Sequence, residues 1–147
     1  MNMTHYLVVG ISYQQSTVAY REKLTFSPEE IQRLLPTVVS TGVILECVLL
    51  STCNRTEIYL VTEDPAAALS HLSDCLKRAK GESASWLFAN GYQKQNRECV
   101  QHLLRVAAGL ESQMVGEPQI LNQVKSAHQF ASEAGATSLF LNRLFNS

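Results

Sequence analysis

Short apolar runs with strand character alternate along this chain with stretches that repeat at helical spacing. Their order predicts an α+β fold. His5 to Ile11 (HYLVVGI) is an apolar run closed by polar residues and reads as a first strand. Residues 16–24 hold a short helical turn. Ser27-Pro28-Glu29-Glu30 starts a helix: serine caps, proline suits the first turn, and Glu30 completes a capping box. Ile31, Leu34, Leu35 and Val38 form its apolar face, Gly42 closes it, and Pro36 is expected to kink or shorten it. A second strand is expected from Val43 to Leu50 and a third from Ile58 to Thr62. Asp64-Pro65 opens the next helix, with Ala68, Leu69, Leu72, Cys75, Leu76 and Ala79 at helical spacing and Gly81 as the stop. Ser85 to Tyr92 (SWLFANGY) reads as a fourth, shorter strand.

The order strand, helix, strand, strand, helix, strand is the split βαβ, or ferredoxin-like, pattern. The last third is helical. One helix is expected from Asn96 to Leu110, with Val100, Leu103, Leu104, Ala107 and Ala108 inward. A second begins near Glu117-Pro118 and ends before Gly135. A third starts near Thr137 or Ser138 and presents Leu139, Leu141, Leu144 and Phe145. Two subdomains are expected, a ferredoxin-like unit over 1–93 and a helical unit over 94–147. The apolar face of the last helix stops at Ser147, as if the sequence were a piece of a longer chain.

Composition narrows the class. Of 147 residues, 46% are hydrophobic and 17% charged, which fits a globular domain rather than a disordered one. A net charge of -1 gives no bulk attraction to nucleic acid, so RNA would have to be held by shape and a few placed cations. No apolar run approaches the roughly 20 residues of a membrane span, and no basic segment precedes the first apolar run; a cytoplasmic location is expected. Cys47, Cys53, Cys75 and Cys99 lack the spacing of a zinc site and the histidines are scattered, so no metal is expected. Cys47, Cys75 and Cys99 fall in apolar patterns and read as small core residues.

Cys53 differs. It sits in the polar cluster Ser51-Thr52-Cys53-Asn54-Arg55-Thr56-Glu57, immediately after the buried second strand. A thiolate is a good nucleophile, a nearby cation favours it, and a guanidinium can grip a carboxylate with two parallel hydrogen bonds. Arg55 and Glu57 also read as an ordinary surface ion pair. His102, among apolar neighbours, reads as a satisfied boundary histidine or as an acid/base group near the thiol. Ser112, Glu117 and Gln119 lie in a turn between helices, and Gln123 shares a helix face with Gln119. They form either plain capping or a polar wall against a substrate. Two other functions fit these residues. One is a cysteine hydrolase of small esters using Cys53 and His102. The other is a non-catalytic RNA-binding module, for which the strand aromatics are few.

The chain resembles the N-terminal catalytic domain of glutamyl-tRNA reductases. The resemblance rests on Ser51 to Tyr59 (STCNRTEIY), on His102 to Ser112 (HLLRVAAGLES), on Gly116 to Ile120 (GEPQI), and more weakly on Arg21-Glu22 before Phe26. It covers nearly the whole chain. One loop departs: the family pattern Asn-His-Lys-Thr-Ala-Pro is replaced after Gly10 by Ser12-Tyr13-Gln14-Gln15-Ser16-Thr17, so no role of that lysine or proline carries over. The resemblance implies that Cys53 accepts glutamate from glutamyl-tRNA as a thioester, which NADPH reduces to glutamate-1-semialdehyde, the first step of tetrapyrrole synthesis. It implies a substrate pocket of Thr52, Asn54, Arg55, Ser112, Glu117, Gln119 and Gln123, with His102 aiding catalysis. Arg55 would discriminate against glutamine by being left buried without a partner. It further implies an NADPH-binding domain and a dimerisation domain beyond these residues. The longer protein would be a homodimer, associated with glutamate-1-semialdehyde aminomutase. The present residues would accept the acyl group, or hydrolyse it slowly, without reducing it.

Overall fold

The structure is a computed structural model and describes residues 3–112 and 119–146. Four strands, β1 (His5–Ser12), β2 (Glu46–Ser51), β3 (Arg55–Thr62) and β4 (Tyr92–Gln95), form one antiparallel sheet in the order β2-β3-β1-β4. This is the expected ferredoxin-like order. Helices α1 (Val18–Lys23), α2 (Pro28–Val39), α3 (Pro65–Lys80) and α4 (Glu82–Asn90) precede β4. Helices α5 (Arg97–Ala107), α6 (Gln119–Glu133) and α7 (Leu139–Phe145) follow it.

Both faces of the sheet are covered, which is why β2 and β3 are buried almost without alternation. One face is apolar: Leu7, Val9, Ile11, Cys47, Leu49, Ile58 and Leu60 lie on it, and α2 and α4 contact its strands. The opposite face carries Gly10, Glu46, Arg55, Glu57 and Tyr59 and lies under α5 and α7. Edge-on aromatic contacts, Tyr6 with Phe140 and Tyr59 with Phe145, join this face to α7. Helix α6 runs beside edge strand β2, where the Cys47 N–H donates to the Ala136 carbonyl (2.8 Å). Cys47, Cys75 and Cys99 are buried as expected.

Helix α2 has the anticipated capping box: Glu30 N–H donates to Ser27 Oγ (3.2 Å), and Ser27 N–H donates to Glu30 Oε1 (3.0 Å). Pro36 sits inside this helix on its solvent side, and the helix continues through Val39. Two expectations are overturned. Ser85 to Tyr92 is not the fourth strand; most of it lies in α4, and the strand begins at Tyr92. Its aromatics favoured a strand, but Ala84 and Leu87 are buried three apart, at helical spacing, and Trp86 stacks on Tyr20 (4.1 Å). The true strand, Tyr92-Gln93-Lys94-Gln95, is a polar edge with no apolar signal. The inward face of α5 is also shifted: Cys99, His102, Leu103 and Val106 are buried, whereas Leu104 is 51% exposed and Ala108 faces solvent. The predicted start of α6 at Glu117-Pro118 lies outside the described residues.

Helix α7 depends on a carboxylate from the sheet. Buried Glu46 accepts from the backbone N–H groups of Ser138 (2.7 Å), Leu141 (2.9 Å) and Phe140 (3.1 Å). These are donors that the first turn of a helix leaves unsatisfied, and Ser138 makes no side-chain cap of its own. Glu46→Ala is therefore expected to lower stability by about 2 kcal/mol, read as a lower urea midpoint with unchanged slope.

Candidate active site

The loop between β2 and β3 is built by one threonine. Thr52 Oγ1 accepts from the N–H groups of Asn54 (3.2 Å) and Arg55 (3.1 Å), and the Thr52 N–H donates to the Arg55 carbonyl (2.8 Å). The turn throws Cys53 outward, and Cys53 is the exposed one among the chain's free cysteines. Arg21, buried on α1, clamps the turn from the side. Its Nε donates to the Cys53 carbonyl (3.1 Å) and its Nη1 to the Ser16 carbonyl (2.9 Å). Tyr13 N–H donates to the Asn54 carbonyl (2.9 Å), which ties the end of β1 to the same loop.

Arg55 and Glu57 are not a surface pair. They are 3% and 0% exposed and lie 3.2 Å apart. Glu57 Oε2 accepts from Arg55 Nη1, from the Tyr92 hydroxyl and from His102 Nε2, while Oε1 accepts from the Tyr59 hydroxyl (2.7 Å). Four donors thus converge on a carboxylate with about four lone-pair sites. Burial alone would raise the Glu57 pKa, but the His102 hydrogen bond, with the charges of His102 and Arg55 and the Tyr92 hydroxyl, outweighs it and holds the group below the ordinary 4.5. Burial and then the charge of the same carboxylate push Tyr59 and Tyr92 up, so both phenols stay protonated donors. Burial and then Glu57 push Cys99 up to about 12, which leaves that thiol inert.

Of the residues expected to carry chemistry, Arg55 and His102 line one polar cleft of about 400 Å³ between β4, α5 and the end of β1. His102 is buried and satisfied by Glu57, so it is both a boundary histidine and a wall of this cleft. Gln119 and Gln123 line a second cleft of about 240 Å³ with Phe26, Leu49 and Ser51. The cysteine turn stands between the two: Ser51 borders one and Arg55 the other, and Thr52, Cys53 and Asn54 line neither. No hydrogen bond joins Cys53 to His102 among the described residues. Ser112 is buried, and its carbonyl accepts from the Tyr13 hydroxyl (3.5 Å). Glu117 lies outside the described residues.

Glu57, Arg21 and Tyr92 also build this region, and residue chemistry along the sequence does not single them out. The strand period held a signal for Glu57: Arg55, Glu57 and Tyr59 are two apart and so share a face. Arg21 stood in a matching segment without an assigned role. Arg55 also differs from its expected state. Its guanidinium is already paired, to Glu57 and to the Glu111 carbonyl, so glutamine in the pocket would not leave it without a partner.

No helix among the described residues is long and apolar enough to cross a membrane. No group of acidic, histidine and cysteine side chains among them forms a metal site. A family model described as "Glutamyl-tRNAGlu reductase, N-terminal domain" matches residues 9–147. The chain is 43% identical over 139 residues to the glutamyl-tRNA reductase of Pelotomaculum thermopropionicum, covering 95% of this chain and 31% of that protein. It is 39% identical over 144 residues to that of Pseudomonas aeruginosa, covering 97% and 33%. A solved structure, the glutamyl-tRNA reductase from Methanopyrus kandleri, superposes with a TM-score of 0.72 at 31% identity, over 99% of this chain and 32% of that one. The chain therefore spans about a third of the length of the relatives it matches.

Removing Glu57 leaves a buried guanidinium without its counter-charge. Glu57→Ala is expected to cost about 3–5 kcal/mol. The sign with pH follows from the lowered pKa: the stabilisation is fully present above about 4.5 and is lost as pH falls through the lower folded value. Glu57→Gln should therefore flatten the loss of stability on the acid side, measured by urea titrations between pH 7 and pH 3. An acid limb as steep as in the parent would contradict this.

Proposed function

The chain belongs to the glutamyl-tRNA reductase N-terminal domain family, and from that premise we propose that it is the acyl-accepting part of such an enzyme. Glutamate esterified to tRNA is the substrate, and Cys53 is the nucleophile. The observation that carries this reading is the setting of Cys53. The other three cysteines are buried and raised in pKa, while this one is presented by a turn that Thr52 and Arg21 hold on both sides.

The Cys53 sulfur, as thiolate, attacks the carbonyl carbon of the aminoacyl ester. The bond from that carbon to the ribose oxygen of tRNA breaks, the ribose oxygen takes a proton, and a glutamyl thioester remains on Cys53. The ester is already activated, so no phosphoryl group is needed. Thr52 and Asn54 shape the turn, and Arg55 forms the wall between the turn and the polar cleft. His102, its Nε2 engaged by Glu57, positions substrate rather than acting on the thiol directly. Ser112, Glu117, Gln119 and Gln123 are the further substrate contacts in this reading. The lack of a Cys53–His102 hydrogen bond among the described residues counts against a cysteine hydrolase built on that pair. The slight negative charge and polar edge strand count against a non-catalytic RNA module.

The residues present do not fit NADPH. The sheet is antiparallel, and the described residues offer no glycine-rich turn from a parallel strand into a helix. Reduction of the thioester by NADPH is assigned to another part of the longer enzyme, as are homodimer formation and contact with glutamate-1-semialdehyde aminomutase. A cytoplasmic site of action completes the reading.

The test uses tRNA charged with radiolabelled glutamate in the absence of nucleotide. Label is expected on the wild-type chain, released by hydroxylamine and absent from Cys53→Ser. Label that persists in Cys53→Ser would remove Cys53 as the nucleophile. Folded wild-type chain that acquires no label would overturn acyl acceptance by these residues.

A further inference from the structure

A third cleft, of about 440 Å³, lies between α2 and α3. Glu30, Arg33 and Leu34 share one stripe of α2, and Cys75, Arg78 and Ala79 share the facing stripe of α3, each set at the spacing i, i+3, i+4. Leu34 and Cys75 are buried and form an apolar floor, while Arg33 and Arg78 are exposed on opposite walls. The acidic member of the cleft is already matched: Lys80 Nζ donates to Glu30 Oε2 (2.7 Å) and lies over the Phe26 ring (4.6 Å). Arg78 Nε reaches only the Asp74 carbonyl of its own helix (3.4 Å). Arg33 makes no hydrogen bond or ion pair among the described residues. Two guanidinium groups thus border one space without a carboxylate partner among those residues.

This cleft adjoins the cysteine turn. Phe26 lines it, and the Phe26 N–H donates to Ser51 Oγ (3.0 Å), two residues before Cys53. Phe26 also lines the cleft of Gln119 and Gln123, so the two spaces meet at this residue. Arg33 stands about 8 Å along α2 from Pro28, its first residue, at the helical rise of 1.5 Å per residue. Arg78 is two residues from Lys80, whose ammonium covers Phe26. Both guanidinium groups therefore belong to the half of the cleft nearer the turn.

We propose that the α2–α3 cleft holds the single-stranded 3′ end of the tRNA, with Arg33 and Arg78 on the phosphates just upstream of the esterified ribose. This deepens the function proposed above and rests on it. An ester attacked by Cys53 brings its nucleotide chain to the turn, and that chain has to run off along an adjoining surface. Its phosphates are anions, and a planar guanidinium grips a phosphate with two parallel hydrogen bonds. A net charge of -1 supplies no general attraction, so the strand has to be held by placed cations. Arg55 and Arg21 beside the turn are committed to Glu57 and to backbone carbonyls, whereas Arg33 and Arg78 are open. Cations along a groove with an apolar floor suit a single strand, whose phosphates lie on one side and whose bases are free to lie on the other.

The test is fluorescence anisotropy of the 147-residue chain with a labelled RNA hairpin that ends in single-stranded CCA, titrated at several salt concentrations. Arg33→Gln and Arg78→Gln should each weaken binding at low salt by about tenfold, the effect of one charge-assisted contact. Each should also reduce the slope of log affinity against log salt by about 0.7, the loss of one phosphate contact to a single strand. Arg143→Gln, on α7 over the opposite face of the sheet, should change neither. Unchanged affinity and slope in both cleft variants would overturn the proposal. So would an equal loss in Arg143→Gln, or no binding of the hairpin by the wild-type chain. Acylation of Cys53 from charged tRNA is read separately: the cleft variants should fall below the wild-type rate at low tRNA and reach it at saturating tRNA. A wild-type chain that binds the hairpin through Arg33 and Arg78 but forms no thioester would support the RNA contact and overturn the function proposed above.

Discussion

One buried carboxylate sets the form of this site. Glu57 is fully enclosed, and a carboxylate taken out of water survives as an anion only when its lone pairs are met and its charge is opposed. Arg55 and Tyr59 meet it from its own strand, Tyr92 from β4 and His102 from α5. The sheet and the helix above it are joined through a single side chain. The neighbouring strand has to make room: a Cβ on Gly10 would fall 2.9 Å from both Glu57 Cγ and Tyr92 Cε1. A glycine in the middle of β1 weakens a strand in general, and here it clears the space for the carboxylate and the phenol that serves it.

From that anchor the rest of the site is placed. Arg55 reaches past Glu57 to the Glu111 carbonyl beyond the end of α5, so the guanidinium spans the cleft floor. Its backbone closes the Thr52 turn that carries Cys53. Arg21 on α1 holds the other side of the turn. Cys53 is thus carried on an exposed loop whose ends are fixed by buried ionic side chains. This combination leaves the thiol accessible while its backbone is defined. The two faces of the sheet divide the work. The apolar face with α2 and α4 supplies core, and the face under α5 and α7 spends its burial on Glu46 and Glu57, one capping a helix and one building the cleft.

Much of the fold was legible because its signals are local. The capping box at Ser27, the Asp64-Pro65 helix start and the strand-helix-strand order needed no tertiary information. The failures came where tertiary contacts decide. The aromatics of Trp86 and Phe88 point to a strand by propensity, yet α4 forms because Ala84 and Leu87 are buried and Trp86 finds Tyr20. The edge strand Tyr92–Gln95 has no apolar pattern, since its partner is needed for backbone pairing, Tyr92 and Lys94 face a polar cleft, and Gln93 and Gln95 face solvent. Around the turn, the exposure of Cys53 was readable from its polar neighbours. Glu57 was not, because whether an Arg–Glu pair two residues apart on a strand is solvated or buried depends on what covers that face, here α5, forty-five residues away at His102.

The central claim is that Glu57, which is not offered as a substrate contact, holds the geometry that lets Cys53 be acylated. The direct measurement compares wild type with Glu57→Gln under conditions where circular dichroism shows both folded. Two rates are taken: labelling of Cys53 by glutamyl-tRNA, and alkylation of Cys53 by iodoacetamide. The account expects acylation to fall by about tenfold or more while alkylation stays the same, because the exposed thiol remains accessible when the cleft behind it is lost. Acylation that matched wild type in the folded variant would contradict it.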